Sequence, residues 1–321
     1  MKERVYEIDV MKGIGILLVI LGHCTPDFPV NMEEDACSME LKSFIYTFHM
    51  PMFFFCSGFV LGLIPSKPIG ESIRSRFKRL MIPYFTFTLI NFSLRVVFSS
   101  ITRSQVNYIE TLYNVLFQGG YYWFVYALFF LMILIAFSRR NKYILAAYVV
   151  VGIFLYYLYI RTFCLKEIGY EILYTVSGLF LSKYRNQLKC YLNNYWLPFG
   201  LAMLLLLLHF FITQPVRFVP FYFHKVAMAF AGIFVMYGLA VHPIKNQRLS
   251  DTINHFGKYS LQYYMIHELT SLPCYYAAPI LHLKANVGTM FVFFILITIS
   301  SYVVLRILLL NKWCYKLIGI K

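Results

Sequence analysis

Residues 143–160 read YILAAYVVVGIFLYYLYI, an apolar run that contains no charged side chain. Apolar and polar positions do not alternate in it, as they would in a β-strand that crosses a membrane. The residues Leu204–Leu208 further along the chain do not alternate either. A helix needs about 20 mostly apolar residues to cross a bilayer, and the run is close to that length. The pattern therefore predicts a membrane helix.

The composition extends this prediction to the whole chain of 321 residues. Apolar residues make up 60% of it and charged residues 13%, and the mean hydropathy is +0.65. Soluble domains have about 45–50% apolar and about 25% charged residues. A soluble fold cannot hide so much apolar surface, because a large part of any compact fold faces water. The composition thus excludes a disordered chain and an ordinary cytosolic globule.

A search for further apolar runs gives about ten membrane spans. They are Ile8–Cys24, Ser43–Ile64, Leu80–Ile101, Tyr121–Phe137, Tyr143–Ile160, Gly169–Ser182, Tyr195–Thr213, Phe221–Val241, Tyr259–Leu281 and Val287–Leu310. With the N-terminus inside, most of the 29 lysines and arginines fall on inner segments, as the positive-inside rule requires. We therefore predict an all-α polytopic membrane bundle of about ten transmembrane helices with both termini cytoplasmic. Residues 1–321 are predicted to form one integral membrane domain.

The net charge of +15 follows from this topology, so we predict membrane lipid and no nucleic acid as a partner. The first outer segment, Asp27–Lys42, is the acidic stretch of the chain. None of the 7 cysteines forms a CxxC pair, so neither a zinc knuckle nor a redox dithiol is indicated, and no metal is expected. Cys37 and Cys164 fall in outer loops, and a disulfide between them is left open.

The first span carries three ionisable residues, Asp9, Lys12 and His23, on one helix face. Ionisable groups inside a membrane helix are costly and are therefore candidates for function. The alternative is that Asp9 and Lys12 orient the helix and that His23 lies at the membrane interface. The same span holds small residues that allow close helix packing, Gly13, Gly15 and Gly22.

Two other spans contain polar candidates. In the second span, His49 is left open between a helix cap and a site residue, and Ser57 suits close helix packing. In the ninth span, the adjacent His267 and Glu268 lie at membrane depth and need polar company. Pro273 follows them and predicts a kink or break.

A basic loop forms the densest group of positive charge, Arg74, Arg76, Lys78 and Arg79. Arginine binds phosphate in a bidentate manner and lysine adds a point charge, so the loop is a candidate phosphate site. The alternative is an anchor that attracts lipid headgroups, and charge alone favours this anchor.

Taken in order along the chain, these motifs resemble the family 3 integral membrane acyltransferases. The resemblance rests on Ile8–Gly15 with His23 downstream, His49-x-Pro51 through Ser57-Gly58, Arg76-x-x-Arg79 followed by Pro83-Tyr84, Trp123-Phe124, and Tyr264-x-x-His267. Together the motifs cover most of the chain. One departure is Lys12, where the family has arginine, which weakens any bidentate contact at that position.

The resemblance implies an enzyme that transfers an acyl group, usually acetyl from acetyl-CoA, to carbohydrate hydroxyls of bacterial surface glycans. It implies His23 as catalytic base, Asp9 and Lys12 as residues that organise the site, and Arg76 and Arg79 on the CoA side. The donor is then acetyl-CoA or another acyl-CoA, and the location is a bacterial inner membrane. His49, Ser57, Trp123, Tyr264, His267 and Glu268 are further site candidates. Homo-oligomerisation stays open.

Other functions are compatible with parts of the pattern. A covalent acyl intermediate on His, Tyr or Ser is a variant of the same reaction. A transporter or flippase of a glycan or small polar solute also has many spans and buried charges, although no inverted repeat is apparent. A sensor or scaffold predicts neither acyl transfer nor transport.

Overall fold

The structure, a computed structural model, describes residues 5–97, 107–211 and 221–320. Every regular element in these ranges is helical. The α-helices, numbered in chain order, are α1 Tyr6–His23, α2 Ala36–Tyr46, α3 His49–Gly62, α4 Ile69–Arg76, α5 Ile82–Val97, α6 Tyr108–Phe117, α7 Trp123–Phe137, α8 Lys142–Leu158, α9 Leu165–Leu181, α10 Arg185–Leu192, α11 Trp196–Phe211, α12 Phe221–Val241, α13 Gln247–Lys258, α14 Ser260–Tyr276, α15 Val287–Leu308 and α16 Lys312–Leu317. The fold is the predicted all-α membrane bundle.

Each predicted apolar run coincides with a helix, namely α1, α3, α5, α7, α8, α9, α11, α12, α14 and α15. Among the described residues, five helical runs are long and apolar enough to cross a membrane, or six if one pair bent by 95° counts as a span. The count of ten and the cytoplasmic termini stay predictions. The ends of Leu80–Ile101 and Tyr195–Thr213 lie outside the described residues, as do the basic residues Lys2, Arg4, Arg103, Arg217 and Lys321.

The structure shows local detail in the second span and excludes the break that was predicted in the ninth span. In the second span, α2 ends at Tyr46 and α3 begins at His49, and together they form one apolar stretch, Ala36–Gly62, that is long enough to cross a membrane. The ninth span does not break at Pro273, because α14 continues to Tyr276. Proline at this position removes one helix hydrogen bond, to the Leu269 carbonyl four residues before it, and α14 ends within a turn of Pro273.

The helices form two compact units, and the division falls within α9 and α15. Unit 1 comprises the residues up to Leu63 together with Ser177–Ser301. Unit 2 comprises Ile64–Val176 and the residues from Tyr302 onward. The single domain over residues 1–321 stays a prediction.

In unit 1, α1 is the central helix and packs against α2, α3, α12, α13 and α14. Glycines allow its close approach to α13. A Cβ at Gly13 would overlap the carbonyl of Ile253, and a Cβ at Gly257 would overlap the carbonyl of Asp9. The prediction that Gly13 permits close packing is confirmed, and the contact fixes the level of Asp9 against α13.

A buried ion-pair network connects α1 with α10 in unit 1. Glu7 is 1% exposed, and Arg185 Nη2 donates to its Oε2 at 3.1 Å while Lys189 pairs with its Oε1. A buried carboxylate is stable when positive partners neutralise it, so removal of both partners would leave a costly buried charge. Sequence reasoning did not single out Glu7, because its partners lie on a polar helix far along the chain.

In unit 2, the predicted basic loop is helical rather than a loop. It comprises the end of α4, a π-helical turn over Phe77–Met81 and the start of α5. Arginine, lysine, leucine and methionine favour helices, which explains the outcome. Pro83 has no N–H for the Arg79 carbonyl, and the wider π turn before it absorbs this mismatch.

The cysteines of the described residues are free thiols, including Cys37 and Cys164. The Cys164 thiol donates instead to the carbonyl oxygen of Gln118 at 3.1 Å. The structure thus contains no disulfide between Cys37 and Cys164.

Candidate active site

His23 is the last residue of α1, and the end of this helix is held by side chains from three directions. The Cys24 thiol donates to the Ile20 carbonyl at 3.0 Å, and the Tyr46 hydroxyl donates to the Gly22 carbonyl at 3.4 Å. The Tyr275 hydroxyl donates to the carbonyl of His23 itself. The last carbonyls of a helix have no partner within it, so these bonds satisfy them and fix the backbone of His23.

The imidazole of His23 lies beside an acid and a second histidine from α14. His23 Nδ1 is 3.9 Å from Glu268 Oε2, and the rings of His23 and His267 meet edge to face at 5.1 Å. The side chain of His23 is 41% exposed and that of Glu268 is 18% exposed. The predicted candidates His23, His267 and Glu268 therefore form one group, with His23 on its open side.

His267 is the buried member of this group, at 2% exposure. Its Nδ1 is 3.1 Å from the carbonyl of Tyr263, and because a carbonyl only accepts, Nδ1 carries the hydrogen. Its Nε2 then has a lone pair, and this buried atom has no hydrogen-bond partner among the described residues. Tyr264, another predicted candidate, packs its ring 5.8 Å from that of His267.

His49 borders the same group through Tyr46. Its Nδ1 donates to the Ile45 carbonyl at 2.9 Å, and its ring lies 4.8 Å from that of Tyr46. The ring of Tyr46 is in turn 6.3 Å from that of His23. The contact with Ile45 ties the start of α3 to the end of α2, so His49 caps a helix end and also lines the site. We name His23, Tyr46, His49, His267 and Glu268 the histidine cluster.

Apolar packing closes the inner side of the histidine cluster. Cys24 and Tyr275, which hold the end of α1, belong to a buried core with Met290, Phe293 and Ile297 of α15. The Tyr275 ring packs on Phe293 at 5.1 Å. Such an apolar boundary strengthens the electrostatic interactions of the groups next to it.

Three predicted site residues lie away from the histidine cluster. Asp9 and Lys12 are half-buried near the opposite end of α1. Eleven residues of helix place Lys12 about 16 Å from His23 along the axis. Ser57 bonds to the Phe53 carbonyl of its own helix at 2.8 Å, about 12 Å along α3 from His49. Helix rise alone thus keeps these residues from direct contact with the His23 imidazole.

Unit 2 contains the positive charges, which we name the cationic cluster: Arg74, Arg76, Lys78 and Arg79. Arg74, Lys78 and Arg79 are exposed, whereas Arg76 is half-buried and donates to the Ser72 carbonyl at 3.3 Å. Arg140 and Arg79 lie close enough to repel the Arg76 guanidinium. Arg140 follows α7 in a turn that sequence reasoning treated only as an inner loop.

Trp123, the other candidate in unit 2, is the first residue of α7. The chain enters this helix through Gly119 at a φ of 75°, and a Cβ there would meet the backbone of Trp123. A glycine is required because the turn combines a left-handed backbone with this close approach. The turn thus sets the position of Trp123, although no described contact assigns a ligand to its ring.

The histidine cluster can carry out acid–base chemistry. If Nδ1 of His23 holds its hydrogen toward Glu268, Nε2 is left as a base, and the carboxylate stabilises the imidazolium that forms. The separation of 3.9 Å is longer than a hydrogen bond, and contacts of this kind tighten when substrate binds. Tyr46 and Tyr275, which sequence reasoning missed, carry no motif that could have identified them.

Comparison with known proteins shows one matching family and two similar curated proteins. A family profile described as an acyltransferase domain matches residues 5–306. The nodulation protein NolL of Mesorhizobium japonicum is 31% identical over 153 residues, which cover 45% of this chain and 40% of that protein. NolL of Sinorhizobium fredii is 28% identical over 152 residues, which cover 44% and 40%.

The chain thus spans about two fifths of the length of these curated relatives. No solved structure matches. The family profile covers nearly the whole chain and includes every residue of the histidine cluster and the cationic cluster. The chain therefore belongs to the family 3 acyltransferases.

Proposed function

We propose that this chain is an integral membrane O-acyltransferase. It moves an acyl group, acetyl in the simplest case, from acyl-CoA to a hydroxyl of a cell-surface carbohydrate, with His23 as general base. The observation that carries this proposal is the position of His23, on the open side of the histidine cluster with Glu268 at its Nδ1. Family membership favours acyl transfer over the transporter, flippase and scaffold alternatives.

The proposed reaction needs one proton acceptor and one stabilising charge. His23 Nε2 takes the proton of the acceptor hydroxyl as its oxygen attacks the thioester carbonyl. The carbon–sulfur bond then breaks, and the imidazolium returns the proton to the departing CoA thiolate. Glu268 stabilises the imidazolium between these steps, because the two opposite charges face each other next to an apolar core.

The donor half of the proposal concerns unit 2. The cationic cluster binds the phosphates of acyl-CoA, since guanidinium groups form paired hydrogen bonds with phosphate oxygens. The convergence of Arg79 and Arg140 on Arg76 supports this role. Like charges brought together repel each other, and a bound polyanion relieves that repulsion.

The acceptor and the location rest on the family resemblance. Acyltransferases of this type modify bacterial surface glycans, so we propose a carbohydrate hydroxyl and a multi-pass protein of the bacterial inner membrane. Two relatives are nodulation proteins of rhizobial species, which is compatible with a carbohydrate acceptor. Asp9 and Lys12 are proposed to organise the opposite end of α1.

The experiment is an assay of CoA release by the purified full-length protein in detergent, with acetyl-CoA and a glycan extract of the organism that naturally produces the protein. The wild type should release CoA thiol in a glycan-dependent manner. His23→Ala should lower the rate by on the order of 10³-fold, because it removes the general base. His282→Ala, a change at an exposed histidine outside the site, is the matched control and should leave the rate unchanged.

Glycan-dependent release that persists in His23→Ala would refute the assignment of the base. A burst of CoA release without glycan would instead indicate a covalent acyl intermediate. If no acyl-CoA supports release by the wild type, the proposed activity itself is wrong.

A further inference from the structure

His23, His267 and Glu268 place three metal-ligand atoms together. One ligand atom from each of them lies within 4.8 Å of the other two. Two imidazoles and one glutamate are the protein ligands of many zinc sites that keep one position open. Because the three side chains come from the end of α1 and one turn of α14, the set is held by two packed helices of unit 1.

The buried histidine is already arranged as a metal ligand. Metal-bound histidines almost always donate their second ring N–H to a carbonyl or carboxylate, which fixes the ring. His267 makes this contact through Nδ1 with the Tyr263 carbonyl at 3.1 Å. Its Nε2 is buried and has no hydrogen-bond partner among the described residues, so a buried lone pair is available for a ligand.

We propose that His23, His267 and Glu268 bind one divalent transition-metal ion of the Zn²⁺ type. Zinc bonds to nitrogen and oxygen are about 2.0–2.2 Å long, so ligand atoms on one tetrahedral ion lie about 3.3–3.6 Å apart. Atoms that lie within 4.8 Å of one another therefore need to approach by up to about 1.5 Å. The exposed side chain of His23 has room for this rotation.

The site would act as an inhibitory site rather than a cofactor site, and this part rests on the proposed function. A bound ion would occupy the lone pairs of His23 and Glu268 that the acyl transfer uses. The metal and the acceptor hydroxyl therefore compete for the same group. Inhibition would be reversed by a chelator.

The test is a titration of the chelator-treated full-length protein in detergent with Zn²⁺ alone, followed by calorimetry, and with Co²⁺ as a spectroscopic probe. We expect one saturable ion per chain and a Co²⁺ spectrum of low coordination number. His267→Ala and Glu268→Gln should each weaken binding by roughly tenfold or more. His242→Ala is the matched control, because His242 stacks on Tyr195 at 4.0 Å outside this group, and should bind as the wild type does.

Glu268→Gln preserves the shape of the side chain, so a loss of binding there is not a loss of folding. Absence of saturable Zn²⁺ binding by the wild type, or binding as tight as the wild type's in Glu268→Gln and His267→Ala, would overturn the proposal. The binding assay is independent of acyl transfer. A protein that binds Zn²⁺ but releases no CoA would retain the metal site and refute the proposed function. A protein that releases CoA but does not bind Zn²⁺ would retain the proposed function and refute the metal site.

Discussion

The histidine cluster and the cationic cluster are built in contrasting ways. The first joins residues from α1, α2, α3 and α14, and its buried members are fixed by hydrogen bonds to backbone carbonyls. The second lies within a few consecutive residues of the chain around one π turn, and most of its side chains are exposed. The first therefore depends on packing, whereas the second depends on charge.

This difference gives each cluster its own response to substitution. A precise arrangement of imidazoles beside an apolar core loses its function when one group moves or is removed. Exposed cations act mainly by long-range attraction, which salt screens within about 10 Å at 0.1 M ionic strength. Changes in the histidine cluster should hence alter kcat, and changes in the cationic cluster should alter the KM for the donor.

After His23→Ala, the largest effect in this comparison is expected for Glu268→Gln. This change keeps the shape of the side chain but removes the charge that faces the His23 imidazolium. The rate constant kcat should fall on the order of 10²-fold, with the KM for acyl-CoA unchanged. Steady-state CoA release measures both constants.

Glu110→Gln is the matched control, because Glu110 is exposed at the start of α6. It should behave as the wild type does. A wild-type kcat in Glu268→Gln would show that the charge of Glu268 does not contribute to the reaction.

The next effect concerns the cationic cluster. The double variant Arg76→Ala, Arg79→Ala should raise the KM for acyl-CoA by about tenfold, because it removes one half-buried and one exposed guanidinium group that would bind phosphate. The kcat should stay the same, and the difference from wild type should shrink as salt is added. Donor titrations at low and high ionic strength measure this.

Lys245→Ala with Arg248→Ala removes two exposed positive charges elsewhere and serves as the control. If this control raises the KM for acyl-CoA as much as the arginine variant does, the rise in KM comes from the lower net charge and not from the position of the arginines. The cationic cluster would then be the lipid anchor that charge alone favoured.

The two clusters also differ in how far the sequence predicted them. The cationic cluster was visible as contiguous motif residues, although its helical form was not expected. In the histidine cluster, the helical spacing placed Asp9, Lys12 and His23 on one face, but it could not bring His23 to Glu268, which lies on α14 far along the chain. Tyr46 and Tyr275 have no local signal, since their contacts depend on how α2 and α14 meet the end of α1.

The helices of the fold were also predicted only in part from the sequence. Apolar runs predicted the helices that carry them, as in α12, which matches its predicted bounds of Phe221–Val241. The polar helices α4, α10 and α13 were missed, because they contain no long apolar run. Their helix signals are local, such as the Asn246 side chain that accepts from Leu249 N at 3.2 Å at the start of α13.

A smaller effect is expected for Gly22→Ala. The added Cβ would overlap the Tyr46 ring, so that ring must move away from the end of α1. We expect a loss of about 1–3 kcal/mol in the free energy of unfolding, because the ring must shift. We also expect a lower kcat, because Tyr46 is a member of the histidine cluster. Chemical denaturation and CoA release measure the two effects.

Gly70→Ala is the matched control. A Cβ at Gly70, in α4 of unit 2, would meet no atom within 4 Å beyond its chain neighbours and the backbone of its own helix. Alanine there should increase stability by roughly 0.5–1 kcal/mol through its higher helix propensity. An equal loss of unfolding free energy in both variants would show that the effect of Gly22→Ala does not come from the Tyr46 contact.

The smallest effect is expected for Tyr275→Phe, which removes the hydroxyl that donates to the His23 carbonyl. The loss in unfolding free energy should be about 1 kcal/mol, with a modest fall in kcat. Tyr126→Phe removes the same kind of bond, to the Leu116 carbonyl at 2.8 Å in unit 2. It should lose similar stability without a fall in kcat, and a fall of kcat in both variants would contradict a local role for Tyr275.

The central claim is that His23 and Glu268 act as one catalytic unit. A double-mutant cycle in kcat tests it most directly, with His23→Ala, Glu268→Gln and the combined variant assayed for glycan-dependent CoA release. Residues that act as a unit are strongly non-additive, so the combined variant should be no slower than His23→Ala alone. Additive losses, or activity that persists in His23→Ala, would contradict the claim.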